Sequence, residues 1–447
     1  MSKTDSERQA IVIIHGIGEQ EPMQTLRGFA ESVIPDVNPA DDPMGVKEKF
    51  YVKPDELSRL FDLRRLTVPQ DKKKTRIKTD FYEYYWAHQL RDTQLSDVLS
   101  WIAGIFLAGK YVPPRLKTLH RTLLLIVILV PVAVFALLYF FPAVKQHWAA
   151  FTAASAGMVY FIAKLIRHFI NSISINFIGD AARYFTPKPG NIINRQQIRK
   201  EGLDLLKKLH DEHMGDKEKT PRYKRIVVVS HSLGSVIAYD LLALLWANYH
   251  STLTHEDEKQ QEKLKEMQDK VIAFSKLTVI TDQELAAYKQ LQAELLEASA
   301  AAGNPWRVTD FLTLGSPLAH AQLLMAKGKT ALEKMQEERQ YPTSPPALEA
   351  QQVISYRQSF VFDDGKKAEL KVPHHGALFA FTHWTNVWFE NDYVGGPMPP
   401  VFGKCITDKK LVSVTNPKIP FMSHTHYWDE KEAASVQIIK DIVFKPR

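Results

Sequence analysis

Residues 226–240 read IVVVSHSLGSVIAYD. Four β-branched residues, Ile226 to Val229, form a short apolar strand pattern, and an apolar helical pattern takes over after Ser-His-Ser-Leu-Gly. A serine between small residues at a strand-to-helix junction is the arrangement of a nucleophile elbow, G-x-S-x-G, in which a sharp turn exposes the hydroxyl at the top of a sheet. Ser232 occupies the centre and Gly234 the second small position, while Ser230 replaces the usual first glycine. Serine is the next mildest side chain sterically, so the departure weakens the pattern without removing it.

A second element precedes it. IVIIHGIGEQ, residues 11–20, places His15-Gly16 at the end of another short apolar strand. Backbone N–H groups after such a His-Gly can hold the oxyanion of a tetrahedral intermediate, and the residue following the nucleophile supplies the partner N–H. The expected donors are Ile17 and Leu233.

A serine hydroxyl becomes a nucleophile when a histidine takes its proton and a carboxylate orients that histidine. The chain order expected for this chemistry is Ser, acid, His. After Ser232 the acid candidate is Asp392, in the loop following the strand-like Trp384–Phe389. Asp310 is a weaker candidate because it lies within a strand pattern, and Asp240, in the helix after the elbow, reads as structural. The base lies in SHTHYW, as His424 or His426. His231 adjoins the nucleophile but points elsewhere on the turn. His374-His375 has no third ligand at helical spacing, so no metal site is expected. Acyl transfer by such a triad requires no cofactor, and none is expected.

The blocks SHSLGSVIAYD, TLGSPLAH, NVWFENDYV and SHTHYW, taken in order, resemble the core of the DDHD-type intracellular phospholipases. These are serine lipases of the α/β-hydrolase fold that also carry S-x-S-x-G. The resemblance covers about 226–248, 308–320 and 384–444. It implies Ser232 as nucleophile, Asp392 as the acid of the family's loop and His424, three residues before Tyr-Trp, as the base. Tyr393 stands where the family has proline.

Between the oxyanion strand and the elbow lie two long apolar runs. LLLIVILVPVAVFALLYFF, residues 123–141, carries no charge, and WAAFTAASAGMVYFIAKLI follows at 148–166. About twenty apolar residues suffice to cross a bilayer. The small residues Ala153 to Gly157 would let the second run approach the first. The expectation is an integral membrane protein with two spans, Leu123–Phe141 and Trp148–Ile166. Basic residues flank both outer ends (Lys110, Arg115, Lys117 and Arg121 before, Lys164, Arg167 and Arg183 after), which places the catalytic part on the cytoplasmic side. The stretches 98–109 and 169–179 are expected in the interface beside the hairpin or in an ordinary core.

The fold class expected is α/β, an α/β-hydrolase with a largely parallel sheet, interrupted by a transmembrane helical hairpin and a helical insertion. Residues 1–110 form the N-terminal part of the core with the oxyanion strand, 111–180 the hairpin and its flanks, and 181–447 the remainder. Residues 50–95 read as a strand leading into a helix. The stretch at about 252–302 alternates in charge sign and reads as a solvated helical insertion or a lid.

Among 447 residues, 24% charged and 45% apolar, nothing argues for disorder, and the single Cys405 excludes an intrachain disulfide. The net charge of +7 sits largely beside the apolar runs and forms no aromatic-interleaved stripe, so nucleic acid is not an expected partner. The expected partners are the membrane lipid bilayer and a lipid ester substrate; the oligomeric state is not legible. The expected activity is a membrane-anchored serine esterase or lipase cleaving lipid acyl esters. The alternatives are a thioesterase, acyltransferase or peptidase on the same triad, or a non-catalytic membrane scaffold that retains the fold.

Overall fold

A computed structural model of the chain describes residues 8–16, 21–35, 49–58, 62–70, 77–89, 184–185, 189–211, 221–349, 351–417 and 422–445, with scattered residues between 112 and 132. The protein is α/β, with a mostly parallel sheet. Among the described residues eight strands form this sheet. They are β1 (Arg8–Ile14), β2 (Tyr51–Pro54), β3 (Arg64–Val68), β4 (Lys78–Tyr84), β5 (Arg225–His231), β6 (Val308–Leu314), β9 (His383–Phe389) and β10 (Thr407–Leu411). Two further strands, β7 (Ser355–Val361) and β8 (Lys367–Pro373), pair antiparallel as a separate hairpin.

The spatial order is β10-β9-β6-β5-β1-β4-β3-β2. β1, β4, β5, β6, β9 and β10 run parallel, and β3 is antiparallel to both its neighbours. From β1 the chain crosses to the edge strand β2 and returns inward through β3 to β4 beside β1, and from β5 it builds outward through β6 and β9 to β10 at the other edge. The order therefore reverses between β1 and β5, the kind of position where α/β sheets open a ligand crevice beyond the carboxyl ends of their strands.

Both faces of the central strands are covered, which is why β1 and β5 read as unbroken apolar runs. Val12, Ile14, Ile226 and Val228 face one core, with Leu205 and Leu209 of helix α2 (Pro189–Asp211) and Ile237 and Leu241 of α3 (Leu233–Tyr249). Ile11, Ile13, Val227 and Val229 face the other. There they meet Phe29 of α1 (Gln24–Val33) and Ile439 of the last helix. The stretch at 252–302 forms α4 (Glu258–Ser275) and α5 (Asp282–Ala301). The turn between them ends in a Thr281–Glu284 capping box. Helix α6 (Lys329–Glu337) and the closing helix α7 (Ala433–Phe444) complete the described longer helices.

Three readings of the sequence are corrected. Among the described residues no helix is long and apolar enough to cross a membrane, which overturns the two-span integral membrane placement and the cytoplasmic side drawn from it. Among the described residues the most apolar long helix, α3, has 17 residues and buries most of its apolar side chains within the protein. The runs Leu123–Phe141 and Trp148–Ile166 lie almost wholly outside the described residues, as do 98–109 and 169–179. Second, the described part of residues 50–95 holds three strands and a short 3-10 turn, Ala87–Gln89, where one strand leading into a helix was expected; 59–61, 71–76 and 90–95 lie outside the described residues. Third, α4 and α5 are not simply solvated: Leu264, Met267, Tyr288 and Leu295 belong to the main core. Tyr288 and Gln292 donate to the carbonyl of Phe379, so these helices brace the approach to β9. In addition, the β7–β8 hairpin and β10 had no counterpart in the sequence reading; their residues are mostly exposed or half-buried and show no clean apolar alternation.

At the amino ends of the parallel strands, Arg225 ties the layers together. Its guanidinium donates to Gln9 Oε1 at 2.8 Å, Asp310 Oδ2 at 2.9 Å and the carbonyl of Ile442 at 2.6 Å. Both partners of this ion pair are nearly buried, with side chains 11% and 4% exposed. Removing one member of such a pair strands the other charge in a low-dielectric setting. Arg225→Ala is therefore expected to lower stability by about 3–5 kcal/mol, read from the urea unfolding midpoint.

Candidate active site

β5 ends at His231, and the chain turns within one residue into α3. Ser232 sits at that turn with φ 52° and ψ −131°. A non-glycine residue there is strained, and such strain persists only where surrounding contacts over-determine it. The Ser232 N–H is held by the carbonyl of Leu314 at 3.0 Å. Gly234 lies so close to the end of β1 that an added Cβ would fall 2.2 Å from the carbonyl oxygen of His15 and 2.4 Å from that of Ile14. Only glycine lets the first turn of α3 press onto β1. Ser230, the departure from the elbow pattern, is fully buried and donates to the carbonyl of Leu312 on β6 at 3.0 Å. Its hydroxyl pins β5 to β6 below the turn.

Three side chains converge at this point. His424 Nε2 lies 2.9 Å from Ser232 Oγ, and His424 Nδ1 lies 2.9 Å from Asp392 Oδ2. Asp392 is fully buried. Burial by itself would raise its pKa. The neighbouring His424, hydrogen bonds from His424 and Tyr427, and the Gly395 N–H outweigh that effect and hold it down to about 2. With Asp392 ionised, a neutral His424 carries its proton on Nδ1 and donates it to Oδ2. Nε2 is then left to accept from the Ser232 hydroxyl.

Residues to which sequence reasoning gave no part in the chemistry complete the arrangement. The Tyr427 hydroxyl donates to Asp392 Oδ2 at 2.6 Å and accepts the Phe389 N–H at 3.1 Å, so the acid is clamped to the end of β9. The Val394 N–H donates to Asp392 Oδ1 at 3.0 Å. Gly315, after β6, has φ +55°, and a Cβ there would lie 2.8 Å from Asp392 Oδ2 and 3.1 Å from His424 Nδ1. Gly315-Ser316-Pro317 is a turn pattern in the sequence, but nothing in it reveals what the glycine makes room for. His231 Nε2 donates to the carbonyl of His424 at 2.7 Å. Burial and the adjacent His424 keep His231 neutral, its pKa held down at about 3. It anchors the main chain of the base.

The His15-Gly16 element meets the same turn. A Cβ on Gly16 would touch Ser232 Cβ at 2.8 Å, so the end of β1 lies against the nucleophile candidate. His15 Nδ1–H donates to the Gly16 carbonyl at 2.7 Å, its Nε2 accepts the Trp86 N–H at 3.3 Å, and its ring stacks on Trp86. Burial lowers its pKa to about 4, so it too is a neutral bracing group. Leu233 is the first residue of α3, where N–H groups have no helical carbonyl to pair with and face the positive end of the helix dipole. Ile17 lies outside the described residues.

The other candidates lie elsewhere. His426 is paired with Asp429 at 3.4 Å and is not at Ser232. Asp310 binds Arg225 at the amino end of β6, and Asp240 binds Arg199 at 2.6 Å and the Tyr184 hydroxyl. His374 is buried against the carbonyl of Ala347 and the Gly376 N–H.

In comparisons with known proteins the chain matches no family model, no curated protein and no solved structure.

Two outcomes follow from these contacts. The Asp392 pKa falls from 3.8 to about 2 on folding, a depressed group whose contribution is full above the unfolded value and lost as pH drops through the folded one. The stability difference between wild type and Asp392→Asn should therefore shrink by roughly 2 kcal/mol as pH falls from about 5 to about 1, measured by urea unfolding at stepped pH. Gly234→Ala drives a Cβ into two backbone carbonyls and should destabilise by about 1–3 kcal/mol, measured by calorimetric Tm.

Proposed function

We propose that the protein is a serine hydrolase of the α/β-hydrolase type that cleaves carboxylic esters through an acyl-enzyme on Ser232. The observation that carries this reading is the continuous line from Asp392 through His424 to Ser232, 2.9 Å at each step, ending on a strained strand-to-helix turn. The position of the line at the carboxyl ends of β5, β6 and β9, beside the sheet's switch point, supports it as well.

In this mechanism Ser232 Oγ attacks the ester carbonyl while its proton passes to His424 Nε2. The imidazolium that forms is stabilised by Asp392, which the Tyr427 hydroxyl and the N–H groups of Val394 and Gly395 keep ionised. Negative charge develops on the carbonyl oxygen. The Leu233 N–H at the head of α3 is the donor assigned to it, with Ile17 as the second donor on chain position beside Gly16. His424 then gives its proton to the leaving alcohol, and water repeats the sequence to free the acid. The resemblance of the four sequence blocks to the DDHD-type phospholipases supports a lipid acyl ester as the substrate class.

A fluorophosphonate probe at neutral pH tests the reading. The wild-type protein should label at a single serine, Ser232→Ala should not label, and Asp392→Asn should label at least about a thousandfold more slowly. A folded wild-type protein that stays unlabelled overturns the proposal.

A further inference from the structure

The peptide that joins Ser232 to Leu233 is held by two buried hydroxyls that the steps above do not use. Its N–H is the oxyanion donor assigned to Leu233. Its carbonyl, on Ser232, accepts the Ser235 N–H at 3.0 Å and the Ser235 hydroxyl at 2.6 Å. Ser235 Oγ lies 2.6 Å from Ser316 Oγ. Both serines are fully buried.

The direction of these bonds follows from what each atom can do. A carbonyl oxygen only accepts, so the single Ser235 hydroxyl proton lies on the Ser232 carbonyl. The proton between the two serines therefore comes from Ser316. Ser316 Oγ in turn accepts the Leu318 N–H at 3.2 Å, at the turn that follows β6. The Ser235 N–H alone would give the Ser232 carbonyl a partner. The two hydroxyls behind it are what ask for a role.

A peptide is planar, and in its trans form the carbonyl and the N–H point in opposite directions. Fixing the Ser232 carbonyl therefore fixes the direction of the Leu233 N–H. Hydrogen bonds in a chain also polarise one another. Electron density drawn onto the carbonyl oxygen leaves the N–H of the same amide a stronger donor. An oxyanion site depends on both effects, because it stabilises charge through donors aimed before the reaction begins.

We propose that Ser235 and Ser316 are positioning residues for the oxyanion donor, aiming and strengthening the Leu233 N–H through the Ser232 carbonyl. The inference rests on the serine-hydrolase reading of the same site. Ser316 directly follows Gly315, the glycine that makes room for Asp392, so this hydroxyl pair joins the acid side of the site to the head of α3.

A trifluoromethyl ketone tests the assignment on the full chain. Ser232 Oγ adds to the ketone carbon, the Ser232 proton passes to His424 Nε2, and the carbonyl electron pair becomes the oxyanion; nothing leaves, so the adduct is reversible. Its inhibition constant, read by competition with fluorophosphonate labelling, reports oxyanion stabilisation. Hydrolysis of p-nitrophenyl butyrate supplies kcat and KM, and the labelled fraction counts active sites. Ser235→Ala should weaken the ketone and lower kcat per labelled site by about tenfold each, with KM within about twofold of wild type. Ser316→Ala should do the same by about threefold, and the double variant should be no worse than Ser235→Ala, since Ser316 acts only through Ser235. A purely structural role would lower Tm and the labelled fraction while leaving the inhibition constant and kcat per labelled site unchanged. That result overturns the proposal, as does a double variant whose losses add. If Ser235→Ala fails to fold, Ser316→Ala decides by the same two readouts. A wild-type protein that stays unlabelled overturns the serine-hydrolase reading and this inference with it. A labelled wild type that the ketone does not inhibit, or whose variants match it, overturns this inference alone.

Discussion

The close approach of α3 to the end of β1 is the constraint on which the site depends. Gly234 can sit against the carbonyls of Ile14 and His15 only because it has no Cβ. That contact forces the chain to turn from β5 into α3 within a single residue, and Ser232 absorbs the strain at φ 52°. The same contact brings Gly16 against Ser232 and sets the head of α3 beside the loop that follows β1. Nucleophile candidate, helix terminus and His-Gly element are thus three consequences of one packing requirement. The neutral rings of His15 and His231 brace it from two sides, each spending its hydrogen bonds on backbone.

The second requirement is electrostatic. Asp392 is a fully buried carboxylate, and a charge in that position survives only when its oxygens are satisfied. His424, Tyr427, Val394 and Gly395 supply the donors. Tyr427 is itself fixed by the Phe389 N–H and by stacking on the Phe389 ring at 4.4 Å. The glycines at 315 and 395 press backbone against backbone beside this carboxylate, leaving no room for a side chain. Rigidity around the acid orients His424, and the orientation of His424 aligns Nε2 with Ser232.

Much of this was legible from residue types and order. Strand β1 and the β5-to-α3 junction stand out because strands buried on both faces read as near-continuous apolar runs, while β6 and β9 show as β-branched and aromatic strand patterns interrupted by polar residues. Ser232, Asp392 and the SHTHYW block stand out because the chemistry requires those types in that order. Choosing between His424 and His426 from the residues alone was not possible, since the two differ by two positions in a segment without regular structure. The resemblance pointed to His424, and its 2.9 Å contact to Ser232 against the Asp429 pairing of His426 separates them. The apolar runs at 123–141 and 148–166 led to membrane spans, yet hydropathy reports only that a segment avoids water. Helix α3 shows that a strongly apolar helix can meet that demand inside the protein.

By itself, then, the sequence determined where buried strands lie, which turn must hold a serine between small residues, and which acid and histidine follow it. Those features are local, written in side-chain size, polarity and order. Tertiary structure alone decided which histidine faces the serine, that Tyr427 clamps the acid, and that Ser230 serves the sheet. Each of these depends on contacts between residues tens to hundreds of positions apart, and no short window of sequence carries the geometry of such a contact.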